Sequence, residues 1–191
     1  MSVTLSSTKS QQAKRDQLSM AAVGMVAILS LLLGVILKSS VENRSQHIER
    51  KGITASVPAN WTIQEGAGDL VFVSWDPFTP GIRYAVSLVP LRGGQTLGEI
   101  PSQRNQALSS ALEAFRVLEE TPIIRKGRDG YKTTYAFVDA SQPGLPLVLR
   151  GTDYYFLAGE NVMVVSLQAQ AQDYEEAQLR FEVFLDSVSY K

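Results

Sequence analysis

The pattern along the chain changes character twice. Residues 1–17 are mostly polar, and Leu18 to Leu37 form 20 consecutive residues without a charge. At the rise of an α-helix such a stretch spans about 30 Å, the thickness of a bilayer core. A helix also satisfies its own backbone hydrogen bonds in lipid. The pattern therefore predicts one transmembrane helix over residues 18–37, flanked by Arg15 and Lys38. A cleaved signal peptide is the competing reading. It calls for an apolar core of about 7 to 15 residues and small residues at the cleavage site. Cleavage after Ser40 would put Lys38 at the −3 position, which disfavours it. Ala27, Ser30 and Gly34 lie near one face of this helix and would admit close contact with a second helix.

The tail 1–17 holds too little apolar surface to offset the entropy of ordering. Lys9, Lys14 and Arg15 against Asp16 give it a net charge of +2. Positive flanks stay inside, so the N-terminus is expected in the cytoplasm and the C-terminal part outside it, at the cell membrane. Lys38, Arg44, Arg50 and Lys51 on the far side weaken that bias. Residues 38–51 read as a polar stalk, with His47 solvated in it.

From residue 52 onward, short blocks alternate as in a folded domain, about 140 residues long and able to bury a core. Ile53, Ala55 and Val57 alternate as in a strand before the turn residues Pro58-Ala-Asn60. Residues 70–75 and 82–89 read as strands around the proline-rich loop Trp75 to Gly81. Thr96 and Glu99 match a capping box, and Leu108, Ala111, Leu112 and Phe115 recur with helical spacing. Residues 117–125 and 130–138 read as strands around a turn at 126–130. Residues 147–157 and 162–169 read as a hairpin across Ala158 to Asn161. Asp173 and Glu176 signal a last helix, with Tyr174, Ala177, Phe181, Phe184, Leu185 and Val188 along one face. Runs of strands with helices between and after them indicate α+β, with a mainly antiparallel sheet flanked by helices and preceded by the one transmembrane helix.

Charge and composition narrow the function. Residues 39–191 carry 14 Lys and Arg against 18 Asp and Glu, a net of −4. That sign offers no broad attraction for nucleic acid. The chain has no Cys, which removes disulfides, thiolate metal sites and Cys nucleophiles. Its one His lies outside the 52–191 domain, so an acyl-transfer triad lacks a base. Asp69, Asp76, Asp139 and Asp153 fall near predicted strand ends, where they read as turn carboxylates or as oxygen ligands for Ca²⁺ or Mn²⁺. They form no calcium-loop motif. Gly66-Ala-Gly68 and Gly93-Gly94 lack a phosphate-loop context and read as turns. No cofactor is expected, and the domain reads as non-enzymatic.

Two surface features are candidate interfaces. The loop Trp75-Asp-Pro-Phe78-Thr-Pro-Gly81 is stiffened by two prolines and presents Phe78 between them. Trp75 and Phe78 either anchor a partner at low entropic cost or plug one end of the core. Arg125, Lys126 and Arg128 form the densest basic cluster, which either solvates a hairpin tip or meets an acidic partner.

The order of these pieces resembles the PsbP family, whose founding members are extrinsic subunits of photosystem II. A Ran-binding nuclear import factor and several bacterial lipoproteins share its fold. The resemblance covers about residues 50–190. It rests on the opening Gly52 to Trp61, on Gly130 to Tyr135, on the hairpin Tyr154 to Val165, and on a closing helix ending Phe184-Leu-Asp-Ser-Val188. It implies an antiparallel sheet covered by helices on both faces, an α/β/α sandwich, and a binding or assembly role. This chain departs from the photosynthetic members in carrying a hydrophobic anchor where they have a cleaved transit peptide or a lipidated Cys. The expectation is an accessory or assembly subunit that binds a larger membrane protein complex. The alternative is a sensor domain for a small ligand or metal.

Overall fold

Period-two alternation builds most of the domain, and the positions that alternate inward divide between two layers of helix. The structure is a computed structural model that describes residues 25–34, 44–79, 81–140 and 145–191. It separates into two units, residues 1–44 and 45–191. Of the first unit, residues 25–34 are a helix, α1, with Met25, Val26, Ile28, Leu29, Leu31, Leu32 and Leu33 all exposed. Among the described residues no helix is long and apolar enough to cross a membrane. The rest of the predicted span, residues 18–24 and 35–37, and the polar tail lie outside the described residues. Ala27, Ser30 and Gly34 are exposed on α1.

The second unit begins earlier than the sequence pattern suggests. Ser45–Arg50, read as stalk, is a strand, β1. It pairs antiparallel with β2 (Ile53–Pro58) through the two-residue turn Lys51-Gly52, both at positive φ. Ile48 is the one inward side chain of β1, which is why the segment looked like a polar linker. His47 is exposed on this strand. A two-residue strand at the C-terminus, β10 (Ser189–Tyr190), completes a three-stranded sheet on the other side of β2.

The larger sheet has seven antiparallel strands in the order β3-β4-β5-β9-β8-β7-β6. These are β3 (Thr62–Glu65), β4 (Leu70–Trp75), β5 (Arg83–Pro90), β6 (Glu113–Arg125), β7 (Arg128–Asp139), β8 (Leu147–Ala158) and β9 (Asn161–Gln170). The β6–β7 turn is tighter than the sequence suggested. Lys126 and Gly127 alone make it, both at positive φ, the backbone that a two-residue hairpin needs to match strand twist.

The helices cover opposite faces. Helix α3 (Tyr174–Ser187) buries Tyr174, Ala177, Phe181, Phe184 and Leu185. They pack with Phe72, Tyr84, Val86, Tyr154, Phe156, Met163, Val165 and Leu167 of the sheet, and with Ile53, Ala55 and Val57 of β2. Tyr84 is the centre of an aromatic cluster, with Trp61, Phe181 and Phe184 rings at 4.4, 5.1 and 4.8 Å. Burial pushes the Tyr84 phenol up, against the pull of Arg180.

Helix α2 (Glu99–Ala111) covers the other face and is held differently. It ends before Phe115, which the spacing had placed on the helix; Leu112 is its C-cap, and Phe115 belongs to β6. Phe115 nonetheless joins Leu108 and Leu112 in one cluster over Tyr135, Phe137 and Leu149, so an apolar face continues from helix into strand. Thr96 contacts Glu99 through their side chains at 3.2 Å, but the N-cap is Gly98. The residues of α2 that meet the sheet are Ile100, Arg104 and Leu108, one per turn, with Leu112 just beyond.

Candidate functional site

On the α2 face, odd-numbered residues of β8 point towards the helix. Leu149 and Tyr155 are apolar contacts there, and Asp153 lies between them, fully buried. Arg104 donates from Nε to Asp153 Oδ2 at 2.6 Å, and Tyr155 Oη donates to the same oxygen at 3.3 Å. Tyr135 Oη donates to Asp153 Oδ1 at 3.4 Å, and Gln168 Nε2 donates to Tyr135 Oη at 3.5 Å. Burial pulls the Arg104 guanidinium down, but the adjacent Asp153 outweighs it and the net displacement is upward. Tyr135 and Tyr155 are both held far above an ordinary phenol, by burial first and by the Asp153 charge second. This network ties helix to sheet. Asp153 is therefore not a strand-end carboxylate. Asp69, Asp76, Asp139 and Asp153 do not converge either: among the described residues no three His, Asp or Glu side chains gather as a metal would need.

Beyond the C-terminal end of α2 this sheet face lies open. Val73, Trp75, Arg83 and Gln168 share it, since Val73 pairs with Ala85, Trp75 with Arg83, and Arg83 with Gln168. Two depressions of about 430 and 490 Å³ lie there, and Arg83 lines both. Leu112, Phe137 and Leu149 wall the first, with Glu113 and Asp139 at its rim. Val73, Trp75 and Pro77 wall the second, with Gln64 and Asp76.

Asp76, Pro77 and Gly81 of the loop after Trp75 border this groove. Trp75 is half-buried as part of the groove wall, and Phe78 is 80% exposed. The plug reading is thus set aside for Phe78. The loop is braced by the Phe78 N–H donating to Asp76 Oδ1 at 2.9 Å, a local turn that holds the aromatic out at little further entropic cost. The basic cluster is engaged within the domain. Arg125 pairs with Glu182 and Asp186 of α3, Lys126 with Asp186, and Arg128 lies 5.0 Å from the centre of the Phe156 ring. These contacts fasten the β6–β7 hairpin to α3 and leave little free charge for a partner. Sequence reasoning missed Arg83 and Arg104, because a single Arg in a strand or on a helix reads as surface.

The architecture defines a class: an antiparallel sheet sandwiched between helices, with the Arg104–Asp153 ion pair between one helix and the sheet. Comparison with solved structures makes this the PsbP-like fold. The chain is similar to the cyanobacterial PsbP of Synechocystis sp. PCC 6803, with a TM-score of 0.60 at 10% identity over 77% of this chain and 92% of that one. It is also similar to the Saccharomyces cerevisiae Ran-binding protein Mog1p, with a TM-score of 0.52 at 12% identity over 77% and 95%. A third similar structure is LpqN of Mycobacterium tuberculosis, involved in cell envelope biogenesis, with a TM-score of 0.48 at 14% identity over 76% and 90%. No family model matches the chain, and no curated protein sequence matches it.

Proposed function

We propose that this protein is a non-catalytic accessory or assembly subunit, anchored by one transmembrane helix, that binds a larger membrane protein complex through a domain outside the cytoplasm. The observation that carries the reading is Phe78, 80% exposed on a loop braced by Asp76. An aromatic held rigidly in water loses little conformational freedom on docking. The fold supports a binding role, since it is shared with a protein that by name binds Ran. The anchor is supported by the uncharged run 18–37 and by the apolar side chains exposed along α1, which need a bilayer or another apolar surface to cover them. Tethering raises the local concentration of the domain near its partner without a tight interface.

Purification of the native protein in mild detergent tests this. The full chain is expected to migrate with a larger assembly. Phe78→Ala, or exchange of residues 18–37 for an unrelated transmembrane helix, is expected to release it. Unchanged co-migration of both variants would refute the interface. Protease digestion of intact cells checks orientation, and residues 45–191 should be cut without opening the cytoplasmic side. The alternative, a sensor for a small ligand or metal, finds its support in the groove at Arg83; thermal stabilisation by a metabolite or metal at modest concentration would favour it.

A further inference from the structure

The groove on the open sheet face has a feature that the exposed loop does not: a cation without a partner. Among the described residues Arg50, Arg104, Arg125, Lys126, Lys132, Arg150, Arg180 and Lys191 are all in ion pairs. Arg83 makes none, and neither do Arg44, Lys51, Arg92, Arg116 or Arg128, but of these only Arg83 lines the two depressions, cross-strand from Trp75 and Gln168. Asp76 and Glu113 line the same depressions, but Arg83 pairs with neither, so its exposed guanidinium is open to an outside anion.

The walls say what surrounds that anion. On one side are Val73 and Trp75, and on the other Leu112, Phe137 and Leu149. Gln64 lines the second depression with an exposed amide, able to donate to and accept from a peptide backbone. Glu113 is exposed and lines the first depression as well. It opposes a second acidic group and favours a basic one there. The domain's overall sign also repels a highly acidic partner, within a Debye length of about 8 to 10 Å. One carboxylate flanked by apolar groups meets every one of these conditions.

We propose that this groove seats an extended protein segment of a partner, with a single carboxylate on Arg83, apolar side chains to either side, and a basic residue towards Glu113. The proposal rests on the accessory-subunit reading and specifies the partner's chemistry. Apolar contact on the half-buried Trp75 and Leu112 supplies affinity, and the Arg83–carboxylate pair fixes register. Phe78, beside the groove, contacts the partner outside the segment.

Affinity selection of end-blocked peptides of about eight residues, an extended length of roughly 26 Å, tests it. The full chain is held in phosphatidylcholine nanodiscs, and the peptides carry a central Glu, Gln or Lys between randomised flanks. Glu is expected to be enriched at least about tenfold over Gln at the centre, with apolar neighbours and a Lys or Arg towards one end. Arg83→Gln should abolish the central preference, and Arg83→Glu should turn it to Lys. Arg83 is exposed, so both variants should fold, and an unchanged thermal midpoint verifies this. Equal recovery of Glu and Gln peptides, or a Glu preference that survives Arg83→Gln, overturns the proposal. So does binding of dodecyl phosphate at Arg83 with no peptide enrichment, which would make the groove an amphiphile site. If selection fails while the native chain still migrates with its assembly in a Phe78-dependent way, the groove proposal falls and the accessory reading stands.

Discussion

Replacing Arg104 by Met should destabilise the domain far more than any other single change on α2. Asp153 is fully buried, and its shortest hydrogen bond is the 2.6 Å bond from Arg104. Met keeps most of the packing volume but leaves a carboxylate under the helix with only two phenols, at 3.3 and 3.4 Å. Removing one partner of a buried ion pair costs about 3 to 5 kcal/mol. The phenols offset part of that, so the lower end, ~3 kcal/mol, is expected. At roughly 2 to 4 °C per kcal/mol for a domain near 150 residues, the midpoint should fall by about 6 to 12 °C. The double variant Arg104→Met with Asp153→Leu is the control, since an apolar pair in place of a buried ion pair is often neutral. It should recover at least half of the loss. Urea unfolding, followed by tryptophan fluorescence and circular dichroism together, measures both variants and tests for a single transition. If the single and double variants lose the same stability, Asp153 does not depend on Arg104. A single-variant loss under about 1 kcal/mol would mean that water reaches the carboxylate, and the account of α2 would be wrong.

Three further outcomes follow from the same packing. Arg125→Ala should cost about 1 kcal/mol, because its bonds to Glu182 and Asp186 are only partly shielded from water. The Arg125 hydrogen bond holds the Asp186 carboxyl below its ordinary value of 3.8, so the stability it contributes is present above that pH and is lost as pH falls through the lower folded value. Acid titration of the wild type should therefore show a component of unfolding below about pH 4 that Arg125→Ala lacks. Burial raises the phenols of Tyr84, Tyr135, Tyr154 and Tyr155, so their stabilisation is complete below the unfolded value near 10 and declines as pH rises beyond it. Absorbance at ~295 nm should show these four of the seven tyrosines ionising only with unfolding. Gly151 faces the Tyr135 ring so closely that a Cβ would sit 2.4 Å from it. Gly151→Ala should cost about 1 to 3 kcal/mol, measured by thermal unfolding, and should be largely relieved by adding Tyr135→Leu.

The sequence was most legible where one period persisted and the inward side chains were apolar. The stripe from Tyr174 to Val188 predicted α3 residue by residue, since all six of its apolar positions are buried. The hairpin across Gly159 was equally plain. Pattern failed where the inward position is polar. On α2 the inward stripe is Ile100, Arg104, Leu108 and then Leu112, but an Arg in that series reads as surface and displaces the apparent face towards Phe115. β1 was missed because Ile48 alone points inward, and β3 because none of its four residues is fully buried. Trp75 and Phe78 were visible as aromatics in a stiff loop. Arg83 was not, because its meaning comes from lacking a partner, and spacing cannot reveal that.

These differences divide the domain into a face that holds it together and a face that is free to act. The α3 side is apolar and aromatic, is shared by both sheets, and is clamped at its edge by Arg125. The α2 side is held by two small apolar clusters joined through one ion pair. Buried apolar area supplies most of the folding free energy, so substitutions of the exposed Phe78 and Arg83 act on side chains that carry little of it. That is the arrangement a binding surface needs. Phe78 and Arg83 can be replaced without removing a buried contact. It follows that loss of binding and loss of stability should separate cleanly in this domain, with Arg83 and Phe78 variants affecting the first and Phe181 or Tyr84 variants the second.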